Sequence, residues 1–531
     1  MSARPDKTGY AKQQTLVAAL QESHRFPHAA KSVRLIETHI SWVLLAGRYA
    51  YKIKKALDLG FLDFTTLEAR RFYCEEEIRL NRRLAPKIYL DVVPIGGIPQ
   101  NPQFGAQPAL EYAVSMRRFA VSKQLDYLLA RGKVAPAHMD QLAATLATFH
   151  GGLPRTEADS AFGAPETIHA EAMQNFEQLS SLLTAPADLD AVTALGALTE
   201  KAFAECEKLF AQRHARGFVR ECHGDLHLGN IVLIGDEPVP FDGIDFNPAL
   251  RWIDVMDEVA FLTMDLLHEQ RPDLAYRFLN AWLEATGDYA GIPVLRFYLA
   301  YRAVVRAKVS AIRAQQAGRI RKRVLAACRE YLALAGECFA YRRPLLIITH
   351  GLPGSGKSTF AKVALQRLQA IRLRSDVERK RLFGMNPLDD SRSGTGDGIY
   401  SEDATRRTYA RLHELARGLL DAGFPVIVDA AFLKQEEREQ FRELALELSV
   451  PFAIASLRAD EATLRARIVH RRSKGGDASE ADVDVLRALQ AVQQPLSPQE
   501  LAYTVELDGA TDEAGHSRLD RLLAGQGRDS N

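Results

Sequence analysis

Residues 345–359 read LLIITHGLPGSGKST, and this stretch decides the fold of the second half of the chain. An apolar run typical of a strand leads into the pattern GxxxxGK[ST], and a helix is expected to begin near Thr359. Glycines let backbone N–H groups curl around phosphate oxygens, while Lys357 is expected to reach the β and γ phosphates and Ser358 to bind Mg²⁺. The predicted nucleotide-binding residues are Gly351, Gly354, Ser355, Gly356, Lys357, Ser358 and Thr359. The stretch therefore predicts a P-loop that binds ATP together with Mg²⁺.

Short apolar runs alternate with helical stretches through the rest of the chain. The runs are LLIITH, AIRLRS, PVIVDA, PFAIASL and AYTVEL. This alternation is typical of a parallel sheet whose strands are joined by helical crossovers. Residues 345–511 are therefore predicted to form an α/β domain on a five-stranded parallel sheet. From Asp512 onward the sequence is polar, and we expect 512–531 to be a tail that is partly disordered.

Two carboxylates stand where strands of this sheet are expected to end. Asp376 follows the run AIRLRS, and Asp429 closes the run PVIVD. The carboxyl ends of strands are where an open α/β sheet places its ligand, so both residues are candidates for the site. The alternative is that each carboxylate caps the helix that follows it, VERKRLFG or KQEEREQF.

Residues 345–507 resemble the P-loop small-molecule and polynucleotide kinases, a group that includes gluconate-kinase-like and zeta-toxin-like enzymes. The resemblance implies that Asp376 faces the acceptor hydroxyl as a base, while Arg379 grips the substrate. It also implies that Asp429 is a Walker-B-type carboxylate that acts on Mg²⁺ through water.

The segment LRARIVHRRSKGGDASEADVDVL resembles the lid of the same kinases. The resemblance implies that Arg467 and Arg471 close over the γ-phosphate and offset the charge that develops during transfer. The two arginines are four residues apart and share one face of a helix, so a solvent-exposed basic face is the alternative.

The N-terminal half changes its pattern near residue 121. Before that point, WVLLAG and YAYKIK read as an antiparallel hairpin, TLEARRFYCEEEIRLNRRL as a helix, and YLDVVPI and ALEYAVSMRRF as two more strands. After it, the apolar period is mostly helical. We therefore predict an N-terminal extension over 1–29, a small sheet-rich lobe over 30–121 and a helical lobe over 122–340.

One polar motif, HGDLHLGN at 223–230, interrupts the predicted helices. It has the pattern HxDxxxxN, in which Asp225 can accept the proton of an acceptor hydroxyl and Asn230 can hold Mg²⁺. FDGIDF follows and supplies Asp245 as a second metal ligand. These segments resemble the aminoglycoside phosphotransferase and choline-kinase-like family, related to protein kinases, over roughly 30–335. The alternative is a buried polar loop with no catalytic consequence.

The resemblance also implies a lysine that anchors the phosphates of the nucleotide and a glutamate that pairs with it. Lys52 and Lys54 lie on one face of the predicted strand YAYKIK, and the A-x-K context favours Lys52. Glu76 and Glu77 of the following helix both remain possible as the partner. The turn IETHISW contains no glycine, which departs from the glycine-rich phosphate cover of related kinases.

The composition sets outer limits on the function. The 68 basic and 67 acidic residues give a formal net charge of +1, which does not demand a nucleic acid or an anionic membrane as partner. The 5 cysteines form no CxxC pair, which argues against a disulfide framework and a zinc site. The N-terminus lacks an apolar signal region, and no run approaches about 18 apolar residues. We therefore expect a cytoplasmic protein without a membrane anchor.

Together these patterns predict a multidomain tandem kinase, with a two-lobed protein-kinase-like α+β half followed by a P-loop NTPase half. Each half is expected to bind ATP and Mg²⁺, and at least one half is expected to transfer the γ-phosphoryl group to a hydroxyl of a small-molecule acceptor. One alternative is that the first half is a catalytically weak module that regulates the P-loop kinase. Another is a nucleic-acid end kinase, which the balanced charge disfavours. The oligomeric state stays open.

Overall fold

The computed structural model describes residues 4–5, 7–60, 62–157, 159–316, 318–340, 344–393, 397–474, 476–509 and 512–526. These residues form two compact units. Unit 1 comprises the described residues of 1–181 and 203–265, and unit 2 those of 182–202 and 266–531. The domain boundary that the sequence suggests, near residues 342–344, falls largely outside the described residues.

Unit 1 contains a six-stranded antiparallel sheet in the order β2-β3-β4-β8-β6-β7. The predicted hairpin is confirmed, since β3 pairs with β4 from Ser41 opposite Lys54 to Ala46 opposite Tyr49. The strands and helices up to residue 182 are β1 Arg4–Pro5, α1 Lys7–Ala19, β2 Val33–Glu37, β3 Ser41–Ala46, β4 Tyr49–Lys54, β5 Leu57–Asp58, α2 Leu67–Asn81, β6 Tyr89–Ile98, β7 Asn101–Phe104, β8 Ala109–Arg117, α3 Leu125–Leu129, α4 Pro136–Gly152 and α5 Pro165–Leu182.

Helix α1 lies in the segment that the sequence presents as an extension, yet it belongs to the core of unit 1. Leu16, Val17 and Leu20 are buried in one cluster with Trp42 and Leu44 of β3. Burial of this apolar face is worth about 1.5–3 kcal/mol for each large side chain, which explains why the helix forms.

Two small antiparallel pairs of strands carry the polar motifs of unit 1. β9 pairs with β12, and β10 pairs with β11. The elements of this part of the chain are α6 Pro186–Ala215, β9 Val219–Glu221, β10 Ile231–Ile234, β11 Glu237–Pro240, β12 Trp252–Asp254 and α7 Val255–His268. The HGDLHLGN segment therefore lies between β9 and β10, and the FDGIDF segment directly follows β11.

Unit 2 contains the predicted five-stranded parallel sheet, in the order β14-β15-β13-β16-β17. Its elements are α8 Pro272–Thr286, α9 Ile292–Gln316, α10 Arg321–Phe339, β13 Leu346–His350, α11 Lys357–Leu368, β14 Ile371–Arg374, α12 Ser375–Leu382, α13 Glu402–Asp421, β15 Val426–Asp429, α14 Gln435–Glu447, β16 Phe452–Leu457, α15 Glu461–Lys474, α16 Val483–Val492, β17 Thr504–Leu507 and α17 Glu513–Gln526. All five apolar runs form strands, which confirms the α/β class of this half.

Helix α17 lies in the segment that the sequence presents as a polar tail. Residues 513–526 form a helix with His516, Leu519 and Leu523 buried, and the ring of His516 stacks on Phe360 of α11. Three apolar or aromatic contacts at helical spacing suffice to hold a short amphipathic helix in an otherwise polar sequence. Residues 527–531 lie outside the described part of the chain.

Across the helices of the described residues, we find none that is both long enough and apolar enough to cross a membrane.

Candidate functional sites

The P-loop of unit 2 joins β13 to α11, as the sequence predicts. Gly351, Gly354 and Gly356 have φ values of 142°, 83° and 104°, a region that residues with a Cβ rarely adopt. A Cβ added at Gly354 would also lie 2.8 Å from the carbonyl oxygen of Leu464. The loop therefore requires glycine both for its backbone and for its packing, and it has the form of a cradle for phosphate.

Lys357 is the first residue of α11, and its Nζ donates a hydrogen bond to the carbonyl oxygen of Leu352 at 2.8 Å. Burial lowers the pKa of Lys357 to about 8, although the nearby carboxylates of Asp429 and Asp376 oppose the shift. The positive charge of Arg471 contributes to the lowering. The lysine is thus cationic at neutral pH, and it lies close to both carboxylates and to one arginine that the sequence selects.

Asp376 and Asp429 lie at the carboxyl ends of neighbouring strands, but neither of them caps a helix. Asp376 is the second residue of α12, whose N-cap is Arg374, and the N-cap of α14 is Lys434. The interpretation of these carboxylates as helix caps is therefore wrong. The Oδ2 atom of Asp429 is buried and makes no hydrogen bond with any described residue. An unsatisfied buried carboxylate oxygen fits a ligand that the protein itself does not supply.

Helix α15 brings the two predicted lid arginines to the P-loop. Arg467 Nη1 donates to the carbonyl oxygens of Gly354 at 3.1 Å and Ser355 at 3.4 Å. Arg471 donates to the carbonyl oxygen of Ala481 at 3.0 Å, while its Nε is buried without a hydrogen-bond partner in the described chain. Arg467 therefore contacts the P-loop directly, whereas Arg471 acts on it only through its charge, which helps to lower the pKa of Lys357.

In unit 1, the loop between β9 and β10 holds Asp225 and Asn230 together. Asn230 Nδ2 donates to the backbone oxygen of Asp225 at 3.0 Å and to its Oδ2 at 2.9 Å. Since Nδ2 is used as the donor, the amide oxygen of Asn230 is the atom that can face a cation. The Asp225 side chain is 38% exposed, so its carboxylate can meet a substrate.

The buried side chain of Glu258, on α7, holds the same loop in place. Glu258 Oε1 accepts hydrogen bonds from the backbone N–H of His223 at 2.6 Å and of Gly224 at 2.9 Å. Its Oε2 lies 2.7 Å from His150 Nε2. Burial alone would raise the pKa of Glu258, but these hydrogen bonds and the nearby imidazoles lower it to about 2. No sequence pattern points to Glu258, because its partners are far away along the chain.

Lys52 and Lys54 share one glutamate, Glu77 of α2. Lys52 Nζ lies 2.9 Å from Glu77 Oε1 and 2.8 Å from Asp242 Oδ1. Lys54 Nζ lies 2.8 Å from Glu77 Oε2 and pairs with Asp245 on its other side. Although burial raises the pKa of Glu77, the two lysines lower it to about 2. Of the two glutamates left open by the sequence, Glu77 is the one that meets the lysines.

The two aspartates of the FDGIDF segment have different surroundings. Asp245, the predicted metal ligand, is 6% exposed and is held in its pair with Lys54. Asp242 is 47% exposed, and its backbone N–H donates to the Tyr89 hydroxyl at 3.0 Å. The sequence did not single out Asp242, which lies two residues after the end of β11. The open carboxylate beside Lys52 is therefore Asp242.

The two halves of the chain are each similar to a known protein family. The model of the phosphotransferase enzyme family matches residues 75–298, and that of an AAA domain matches 346–496. "Uncharacterized protein Rv2004c" of Mycobacterium tuberculosis and "Uncharacterized protein Mb2027c" of Mycobacterium bovis are each 30% identical over 456 residues, which is 86% of this chain and 89% of theirs.

Solved structures with detectable likeness include kinases of two kinds. A gluconokinase from Sinorhizobium meliloti 1021 is 22% identical and covers 36% of this chain and 95% of its own, with a TM-score of 0.24. The amicoumacin kinase hAmiN, in complex with AMP-PNP, Ca²⁺ and Ami, is 15% identical and covers 62% of this chain and 95% of its own, with a TM-score of 0.37.

Proposed function

Because the chain belongs to one family with these mycobacterial proteins and joins a phosphotransferase-family domain to a P-loop kinase domain, we propose that it is an ATP-dependent tandem kinase. Each unit binds ATP and Mg²⁺ and transfers the γ-phosphoryl group to a hydroxyl of a small molecule. The observation that carries this proposal is that each unit places a lysine that the sequence predicts to bind phosphate beside two carboxylates. These are Lys52 with Glu77 and Asp242, and Lys357 with Asp429 and Asp376.

In unit 1, Lys52 binds the phosphates of ATP while Glu77 fixes the direction of its side chain. The predicted ligand Asp245, or its more exposed neighbour Asp242, would hold Mg²⁺ together with the amide oxygen of Asn230, since hard oxygen ligands are the donor type that Mg²⁺ prefers. Bound Mg²⁺ would neutralise charge on the transferred phosphoryl group. Asp225 accepts the proton of the attacking hydroxyl, and its exposure leaves room for an acceptor.

In unit 2, the P-loop amides and Lys357 bind the β and γ phosphates. Ser358 and Asp429 would hold Mg²⁺, and this role would satisfy the buried Oδ2 atom of Asp429. Asp376 takes the proton from the acceptor hydroxyl. Arg467 and Arg471 offset the negative charge that grows on the phosphoryl oxygens during transfer.

The metal ligand of unit 1 can be tested by a matched pair of substitutions. We expect Asp242→Asn to weaken Mn²⁺ binding by unit 1 in the presence of ATP, since it removes the open carboxylate. Asp245→Asn removes a buried partner of Lys54, so it is expected to lower stability more than metal affinity. If instead Asp245→Asn abolishes Mn²⁺ binding in a folded chain while Asp242→Asn does not, then Asp245 is the ligand.

The tandem-kinase proposal is tested by Mg²⁺-dependent ATP turnover with a panel of sugars, nucleosides and aminoglycosides. The parent chain is compared with Lys357→Ala, Asp225→Ala and the double variant. Loss of a different activity in each single variant supports two working kinase sites. If Asp225→Ala is silent while Lys357→Ala abolishes all turnover, unit 1 is a regulatory module and the tandem proposal is wrong.

A further inference from the structure

Helix α8 belongs to the same compact unit as the P-loop sheet and lies along its edge strand, β14. Asn280 of α8 donates from Nδ2 to the carbonyl oxygen of Ala370 at 2.9 Å and accepts from the backbone N–H of Arg372 at 2.6 Å. The Tyr289 hydroxyl, just after α8, donates to the carbonyl oxygen of Arg372 at 3.4 Å. The side chains around α8 thus pair with backbone groups that an edge strand leaves open.

One turn further along α8, Glu284 binds two arginines of the same strand. Arg372 Nε donates to Glu284 Oε1 at 2.9 Å, and Arg374 Nη1 lies 3.5 Å from Oε2. On their other side, the two guanidinium groups lie 3.8 Å and 4.0 Å from Asp429 Oδ2. Arg374 also donates to Asp477, in the segment after α15, at 3.0 Å. Glu284 and Asp429 therefore compete for the same two cations.

The burial of these groups makes the competition strong. The side chains of Arg372 and Arg374 are 4% and 14% exposed, and that of Glu284 is 15% exposed. Burial raises the pKa of Glu284, but the two arginines outweigh it and keep the carboxylate ionised. Without that negative charge, Asp429 would be the carboxylate closest to Arg372 and would share Arg374 with Asp477, so both cations would be drawn toward its open oxygen.

We propose that Glu284 is a positioning residue of the P-loop site, which holds Arg372 and Arg374 back so that Asp429 stays free for the Mg²⁺ of the bound nucleotide. The inference rests on the proposed function of unit 2, because it assumes that Asp429 acts on the metal. It assigns a role in the P-loop site to a residue within the segment 75–298, which matches the phosphotransferase family.

The test uses the full chain and measures binding of Mn²⁺ in the presence of ADP by electron paramagnetic resonance. The part of the Mn²⁺ binding that is lost in Lys357→Ala is taken as the binding by the P-loop site. Glu284→Gln keeps the shape of the side chain and removes its charge, and we expect Mn²⁺ affinity at this site to fall about tenfold. Asp273→Asn, on the same helix but paired with Arg271, is the matched control and should leave Mn²⁺ binding unchanged.

The double variant Glu284→Gln with Arg374→Gln restores the charge balance and should recover most of the lost affinity, which a general loss of folding would not allow. The role of Glu284 is overturned, but not the proposed function of unit 2, if Glu284→Gln binds Mn²⁺ as tightly as the parent. The same holds if the double variant binds Mn²⁺ as weakly as Glu284→Gln. If Glu284→Gln fails to fold, Arg374→Gln must bind Mn²⁺ at least as tightly as the parent, and weaker binding overturns the inference. A parent chain that shows no Lys357-dependent Mn²⁺ binding overturns the proposed function of unit 2 as well.

Discussion

Substitution of Glu258 by glutamine should loosen the HGDLHLGN loop of unit 1. In the parent, one carboxylate oxygen accepts two backbone N–H groups of that loop, and the other faces His150. Glutamine keeps the shape but replaces one acceptor oxygen by an N–H₂ donor and removes the charge. The two backbone N–H groups of the loop then lose an ionised acceptor, and hydrogen bonds to charged groups are the stronger ones.

The pKa of Glu258 gives the size of the effect. It is lowered from 4.5 to about 2 in the folded chain. This lowering of the pKa corresponds to about 3 kcal/mol of stabilisation of the ionised form. Because the folded pKa is the lower one, this stabilisation is present above a pH of about 4.5 and is lost as the pH falls toward about 2. At neutral pH we therefore expect Glu258→Gln to destabilise unit 1 by about 3 kcal/mol.

Hydrogen exchange resolved to single residues is the appropriate assay, because the two compact units need not unfold together. The amides of His223 and Gly224 should exchange faster in Glu258→Gln, and phosphotransfer by unit 1 should fall while nucleotide binding at the P-loop persists. Glu237→Gln is the control, since its carboxylate is 71% exposed and its partner Lys87 lies 3.7 Å away. Unchanged protection of both amides together with unchanged unfolding in urea would refute the reasoning.

Two further predictions concern the P-loop. Since the pKa of Lys357 is about 8, the charged fraction of this lysine in the free enzyme falls from about nine-tenths at pH 7 to about one-tenth at pH 9. The kcat/KM of the P-loop reaction should therefore fall about tenfold over this range. A kcat/KM that does not change with pH would show that the lysine charge is not required. Gly354→Ala should weaken ATP binding, because its Cβ would lie 2.8 Å from the Leu464 carbonyl oxygen; Gly384→Ala, also at positive φ but with open space around it, should cost about 1 kcal/mol of stability and leave ATP affinity unchanged.

The sequence predicted best what depends on neighbouring residues. The P-loop, the strand before it and the helix after it follow from fifteen consecutive residues, and all five apolar runs form strands of one parallel sheet. The sequence did not predict helix α17, because its few buried residues stand among many charged and polar ones. Asp245 stays a prediction as the metal ligand of unit 1, because only the folded chain shows that it pairs with Lys54 while Asp242 pairs with Lys52. Glu258 and Glu284 bind residues that are 34 or more positions away along the chain, and no local sequence pattern predicts such contacts.

Because Asn280 covers the edge strand β14, the place where the chain is cut decides whether a P-loop fragment keeps this cover. A fragment cut where the sequence pattern changes, near residue 345, would lose the amide that pairs with Ala370 and Arg372. Its outer strand would then offer open backbone groups to other copies, which is a route to aggregation. Exchange of kinase modules between genes would succeed more readily if the junction fell before α8, so that the helix travelled with the sheet it protects.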